Sequence, residues 1–216
     1  MSVFDLPSYV QSSYLGLVGL QLEIALGATL LGLLVALPVG QLCSQLPRFY
    51  PPVLGIVTIL YSLPSLALFI LLIDVYGETY TTIFIPLAIY SLAVLVPGVV
   101  DGIRSVPRAV LDAADGLGYG RIRRYLTVEL PLALPPLMAA MRVAVVSSLS
   151  LMSVGAIIGN YGGLGDLFTL GLHVYNTRLI WLGVITLLVL SLLCDLALRG
   201  VQRLLTPWAR AGGSSA

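Results

Sequence analysis

Five long stretches nearly free of charge dominate this sequence, at residues 24–47, 49–73, 79–100, 143–165 and 179–198. A helix rises ~1.5 Å per residue and the hydrocarbon core of a bilayer is ~30 Å thick, so ~20 apolar residues suffice to cross it. The chain is 58% hydrophobic and 10% charged, where a soluble domain carries ~25% charge. The fold class that follows is an all-α membrane protein with about five transmembrane helices, near 18–44, 52–73, 79–100, 134–158 and 178–200. They form a single domain over residues 1–211. Residues 9–22 contain Gln11, Ser12, Ser13 and Gln21 and read as an amphipathic lead-in to the first helix. The N-terminus has no basic n-region, so the first helix is expected to act as an uncleaved insertion signal. Residues 212–216 read as a flexible tail.

The charges that remain are informative because they are few. All eleven bases are arginines; there is no lysine. That removes a Walker A lysine for ATP, a Schiff base and an amine nucleophile. The single His173 and the distant Cys43 and Cys194 do not make a metal cluster of N/S ligands, and near-zero net charge gives no draw to nucleic acid. Cys43 and Cys194 are expected to be apolar fillers. Nine of the eleven arginines fall after the first, third and fifth helices, while the opposite side holds Asp5, Asp74, Glu78, Asp166 and only Arg178. By the positive-inside rule the N-terminus lies outside and the C-terminus in the cytoplasm.

One connection differs from all others. Residues 101–129 hold nine of the chain's twenty-one charges. Ser105 is placed to cap a helix with Pro107 in its first turn. That helix, RAVLDAADGLG, ends at Gly116 or Gly118, and a second, RIRRYLTVEL, is expected to stop at Pro131. On composition alone the segment is a solvated loop whose arginines anchor topology. The spacing of Asp112-Ala113-Ala114, three residues, Gly118, nine residues and Val128-Glu129-Leu130-Pro131 points further. It resembles the EAA loop of ABC importer permeases, Glu-Ala-Ala-x3-Gly-x9-Ile-x-Leu-Pro, with Asp112 in place of Glu and Val128 in place of Ile.

The resemblance covers roughly residues 58–198. Residues 131–135, 141–145 and 158–166, the last reading IGNYGGLGD, and residues 61–68, YSLPSLAL, are similar to the glycine betaine/carnitine/choline type of this family. The methionine-type permeases share the Gly-Gly-Leu-Gly-Asp segment. Such a resemblance implies a multi-pass permease of the bacterial plasma (inner) membrane that is not itself an enzyme and holds no cofactor. ATP and Mg would be bound by partner ABC ATPase subunits. A second permease copy or homologous permease subunit, an extracytoplasmic substrate-binding protein and membrane lipid complete its expected partners, with no nucleic acid among them. The implied coupling element is the cytoplasmic loop at 101–131, with Asp112, Ala113, Ala114, Gly118, Arg121, Leu130 and Pro131 its key residues. Arg121, Arg123 and Arg124 flank it and face either the ATPase or water and lipid phosphates. Alternating access by the family's mechanism would make the chain half of a pore for an osmoprotectant, or for methionine or another small solute. A channel or secondary transporter working without an ATPase is the competing reading.

Expected path or gate residues are Tyr61, Ser62, Pro64, Tyr90, Ser150, Asn160, Gly162 and Gly163. Pro64 and Pro97 are able to break or bend their helices. The glycines shape the outer loop, as a gate or as a plain turn. Tyr61 and Tyr90 offer aromatic faces to a quaternary ammonium group, or anchor the chain at the interface. Ser147, Ser148, Ser150 and Ser153 line the pore or permit close helix packing. Arg142 is expected to snorkel to the cytoplasmic interface, Asp195 to pair with Arg199 four residues on, and Glu23 to be structural at the outer interface.

Overall fold

The computed structural model describes residues 8–159 and 162–208, so Asn160 and the 212–216 tail lie outside the described residues. The described chain is helical in nearly all its length. Helix α1 runs Ser8–Gln45, and a single 3-10 turn at Pro47–Phe49 leads to α2 (Tyr50–Ser62) and α3 (Ser65–Tyr76). Helix α4 spans Tyr80–Arg104, the short α5 Arg108–Gly116 and α6 Arg121–Arg124. A π-helical turn, Tyr125–Glu129, joins α6 to α7 (Leu130–Gly159); α8 (Gly165–His173) and α9 (Thr177–Leu205) follow.

Four helical segments are long and apolar enough to cross a membrane, or five if the bent pair α2–α3 is one span. The sequence reading of about five spans lies within that range, with three local corrections. The helix expected at 52–73 is two helices meeting at 86°. Leu63 is extended there (φ −65°, ψ 133°), as the residue before a proline prefers, and Pro64 has no N–H to continue the ladder. The first helix begins at Ser8 rather than near 18, so the lead-in at 9–22 is part of α1 itself. Nor does the helix after the polar loop stop at Pro131. Helical backbone continues from Arg121 to Gly159, and the π turn lies where the ring of Pro131 crowds the Thr127 carbonyl, four residues back.

Small and branched residues pack α1, α4 and α7 into one core. Ala36 meets Leu95, Val96 and Val99 of α4 and Leu137 and Met141 of α7. Further along, Ile24 and Ala28 meet Phe69 of α3, Ile83 and Leu87 of α4, and Met152 of α7. A third cluster joins Ala25 and Leu149 to Leu164, Leu167 of α8 and Leu179 of α9. Helices α1 and α7 belong to all three clusters and form the spine. By contrast α9 exposes Trp181, Ile185, Leu188, Val189, Leu192 and Leu193, an apolar face suited to lipid tails.

Candidate functional site

Helix α5 stands apart from the packed helices. Of its nine residues only Ala114 is buried, while Asp112, Ala113 and Asp115 are exposed. It begins at Arg108 with Pro107 at its N-cap and no side-chain cap. The hydroxyl of Ser105 instead donates to the Gly102 carbonyl (2.7 Å) and closes α4. The far end of α5 is terminated by a Schellman pattern: the Gly118 N–H donates to the Asp115 carbonyl (2.9 Å) and the Tyr119 N–H to the Ala114 carbonyl (3.1 Å). Gly118 has φ +77° with open space around its Cβ position. Backbone conformation, not crowding, therefore asks for glycine there.

Beyond that stop, Arg124 ties the polar segment together. Its Nη1 donates to both Asp115 carboxylate oxygens (2.7 and 2.5 Å) and its Nε to Glu129 Oε1 (2.8 Å). Glu129 is buried and Asp115 is half-exposed. The Arg123 guanidinium lies over the Tyr119 ring at 4.3 Å, while Arg121 is exposed. Leu130 and Pro131 are half-buried at the head of α7. The expected coupling residues are thus brought onto one small unit. Sequence reasoning missed Arg124, Asp115 and Glu129 as its connecting residues, for their separations of nine and five match no helical repeat.

The same arginine-rich end of the molecule gathers other connections. Arg104, closing α4, packs over the Tyr50 ring at 4.8 Å. Arg142, expected to snorkel to the interface, has a partner on another helix: its Nε donates to Asp195 Oδ1 of α9 at 2.5 Å. Asp195 Oδ2 also pairs with Arg199 at 2.8 Å, as the spacing predicted. A charge in a span is costly alone, so pairing across α7 and α9 is the cheaper solution.

The second grouping is a cavity of about 430 Å³ lined by Tyr61, Leu63, Ser65, Tyr90, Val146, Ser147, Ser150 and Leu151. The Pro64 break leaves the Leu63 carbonyl without its helical partner, and the Tyr90 hydroxyl donates to it at 2.7 Å. The two tyrosine rings meet edge to face, 5.8 Å between centroids, with Tyr61 exposed and Tyr90 buried. A second cavity along α7, about 390 Å³, shares Val146 and Ser147 and adds Arg142 and Asp195. The α7 members of the two linings, Arg142, Val143, Val146, Ser147 and Ser150, recur at three- and four-residue spacing and form one partly exposed face of that helix. Ser62 lines neither cavity: its hydroxyl donates to the Thr58 carbonyl. Ser148 and Ser153 are buried in packing contacts, to Thr29 and Gln21. Pro97 sits inside an uninterrupted α4.

The remaining expected gate residues, Gly162 and Gly163, follow the C-terminal end of α7 and are not among the residues that line this cavity. Here a fully buried Gln21 reaches from α1. Its Nε2 donates to the Leu149 carbonyl (2.7 Å) and Ser153 Oγ (3.0 Å), and its Oε1 accepts from the Leu164 N–H (2.9 Å). Gly163 has φ +82°, and a Cβ there would stand 2.7 Å from Gln21 Oε1. Beside it Asp166, lining a cavity with Ser13, Thr169 and His173, has its carboxyl pushed above the ordinary range by burial, partly offset by the Gly162 N–H. Among the described residues no group of His, Cys, Asp and Glu is arranged to hold a metal ion.

A family model described as the binding-protein-dependent transport system inner membrane component matches residues 28–211. The chain belongs to this family. It is an inner-membrane permease, and its several apolar helices agree with that. The choline transport system permease protein OpuBB of Bacillus subtilis (strain 168) is 32% identical over 186 residues, 86% of this chain and 85% of the relative. The carnitine transport permease protein OpuCB of Listeria monocytogenes is 33% identical over 196 residues, 89% of each chain. A solved chain of the MetNI methionine ABC transporter, in an inward-facing conformation, superimposes with a TM-score of 0.83 at 22% identity. It covers 93% of this chain and 100% of that one, a likeness of fold.

Proposed function

We propose that this permease is half of the translocation pathway of an ATP-driven importer for osmoprotectants such as glycine betaine, choline or carnitine. The names of its relatives support the cargo. The observation that carries the mechanism is α5: an exposed helix with the EAA-loop spacing, ended by Gly118 at φ +77° and joined by Arg124 to the start of α7. In this reading the arginine-rich end faces the cytoplasm, the N-terminus lies outside, and residues 101–131 form the coupling loop. Asp112, Ala113, Ala114, Gly118 and Arg121 meet a partner ATPase that binds ATP and Mg, and Leu130 and Pro131 set the head of α7.

The exposed α7 face with Tyr61, Tyr90 and Ser150 lines the path, opposite a second permease copy or a homologous subunit. A substrate-binding protein docks at the other end, near Gly162 and Gly163. ATP-driven closure of the ATPases moves α5, and with it α7, between inward- and outward-open arrangements.

The test is uptake into proteoliposomes holding the permease with its cognate ATPase and binding protein, and ATP inside. The expected result is accumulation of labelled choline, glycine betaine or carnitine. Uptake of methionine alone would replace the cargo, and uptake without any ATPase would overturn the mechanism.

A further inference from the structure

The backbone between α5 and α6 is a poor transmitter of force. It consists of residues 117–120, two of them the glycines Gly118 and Gly120, and glycine carries the softest backbone of any residue. Helix α5 buries only Ala114 against the rest of the molecule. A displacement of α5 passed through residues 117–120 alone would be absorbed there. The side chains supply a stiffer route.

The guanidinium of Arg124 is a planar fork, and here its arms point in two directions. One arm holds both carboxylate oxygens of Asp115 on α5; the other holds Glu129. Residues five apart do not share a face of an α-helix at 3.6 residues per turn. The π turn Tyr125–Glu129, with its i→i+5 repeat, brings Glu129 into line with Arg124. Glu129 is buried, so the second arm is fixed in the body of the helix bundle.

We propose that Arg124 is a positioning residue for transport: clamped by Asp115 and Glu129 across the π turn, it makes α5 and α7 move as one body. This inference rests on the reading of α5 as the ATPase contact. The π turn is then the place where α7 takes up the movement, and Asp115 is the handle by which α5 holds it. Asp115 is half-exposed, its side chain 51% accessible, so its replacement leaves the bundle packing untouched.

The experiment uses the assembled transporter, permease with ATPase and binding protein, in proteoliposomes with choline, glycine betaine or carnitine as cargo, whichever it imports. It reads cargo imported per ATP hydrolysed. A variant that merely lowers the amount of folded complex reduces both rates and leaves their ratio unchanged. Asp115→Asn is expected to lower the ratio about threefold, as loss of one partly exposed charged contact in the moving state. Arg124→Lys, which keeps the charge but not the fork, is expected to lower it as well, and Asp115→Glu to restore most of it. Wild-type ratios in both Asp115→Asn and Arg124→Lys overturn the clamp. Gly118→Trp separates this from the parent reading. If that variant disrupts ATPase coupling while the clamp variants do not, only the clamp falls; if it too is silent, α5 is not the ATPase contact.

Discussion

Helix α7 is held at its two ends by polar devices built on opposite principles. At the Arg124 end three charged side chains meet at a surface, with Asp115 half in water and Glu129 buried. At the other end a single neutral Gln21, with no exposed surface, makes three hydrogen bonds inside apolar packing. Buried Glu129 keeps hold of the Arg124 fork, and the half-exposed Asp115 carboxylate, if its contact breaks, can turn to water. A buried amide cannot, because each group it abandons stays unsatisfied. The first suits a joint that must carry movement, the second a fixed point about which residues 162–164 are arranged.

The largest expected effect comes from the fixed point. Gln21→Leu leaves the Leu164 N–H without a partner and is expected to cost about 2–4 kcal/mol, lowering the melting temperature of the detergent-purified permease by about 5–10 °C. A shift under 2 °C in a thermal unfolding assay would remove the distinction between the two ends. Next comes Gly163→Ala, which meets Gln21 Oε1 and must also hold a positive φ. We expect a loss of about 1–3 kcal/mol, read in the same assay, and little further loss when it is combined with Gln21→Leu, because the two share one contact.

How far the sequence foretold these ends depends on the type of signal. The four or five apolar spans, the exposed α5 and its stop at Gly118 were legible because hydrophobic run length, helix propensity and a left-handed glycine are local properties. The Pro64 break was legible as an option. Its 86° angle was not, since buried prolines such as Pro86 sit inside an unbroken helix and only tertiary packing decides between the outcomes. Gln21 looked like one more polar residue in a lead-in segment, because its partners Leu149, Ser153 and Leu164 are more than 120 positions away. Arg142 and Asp195 pair across 53 positions, and the local Asp195–Arg199 spacing concealed that second partner. Arg124 and Glu129 were hidden by a π turn that no α-helical periodicity anticipates.

Salt gives a smaller effect that sharpens the contrast. Raising ionic strength from about 0.1 to about 1 M shortens the Debye length from ~10 to ~3 Å. Amide exchange in residues 115–124 is expected to rise about twofold as the Asp115 contact weakens, with no change at Leu164. Equal responses at both ends would contradict the assignment of their chemistry.

The smallest effect concerns Asp166. Its carboxyl is raised above the ordinary value of 3.8, chiefly by burial, so the folded state binds the proton more readily than the unfolded chain. Stability from this group is therefore greatest at low pH and falls as pH rises from 3.8 through the folded pKa. Asp166→Asn is expected to flatten that slope and to raise the melting temperature at neutral pH by no more than about 2 °C. An unchanged pH profile across that window would show that Asp166 is solvated.

The central claim is that α5 is where work enters the permease, and site-specific crosslinking tests it directly. A photo-crosslinking residue at exposed Ala113 of α5, in the assembled complex, is expected to capture the ATPase, whereas one at Leu188, on the apolar face of α9, captures lipid. Failure at Ala113, or capture of the ATPase at Leu188, would contradict the account.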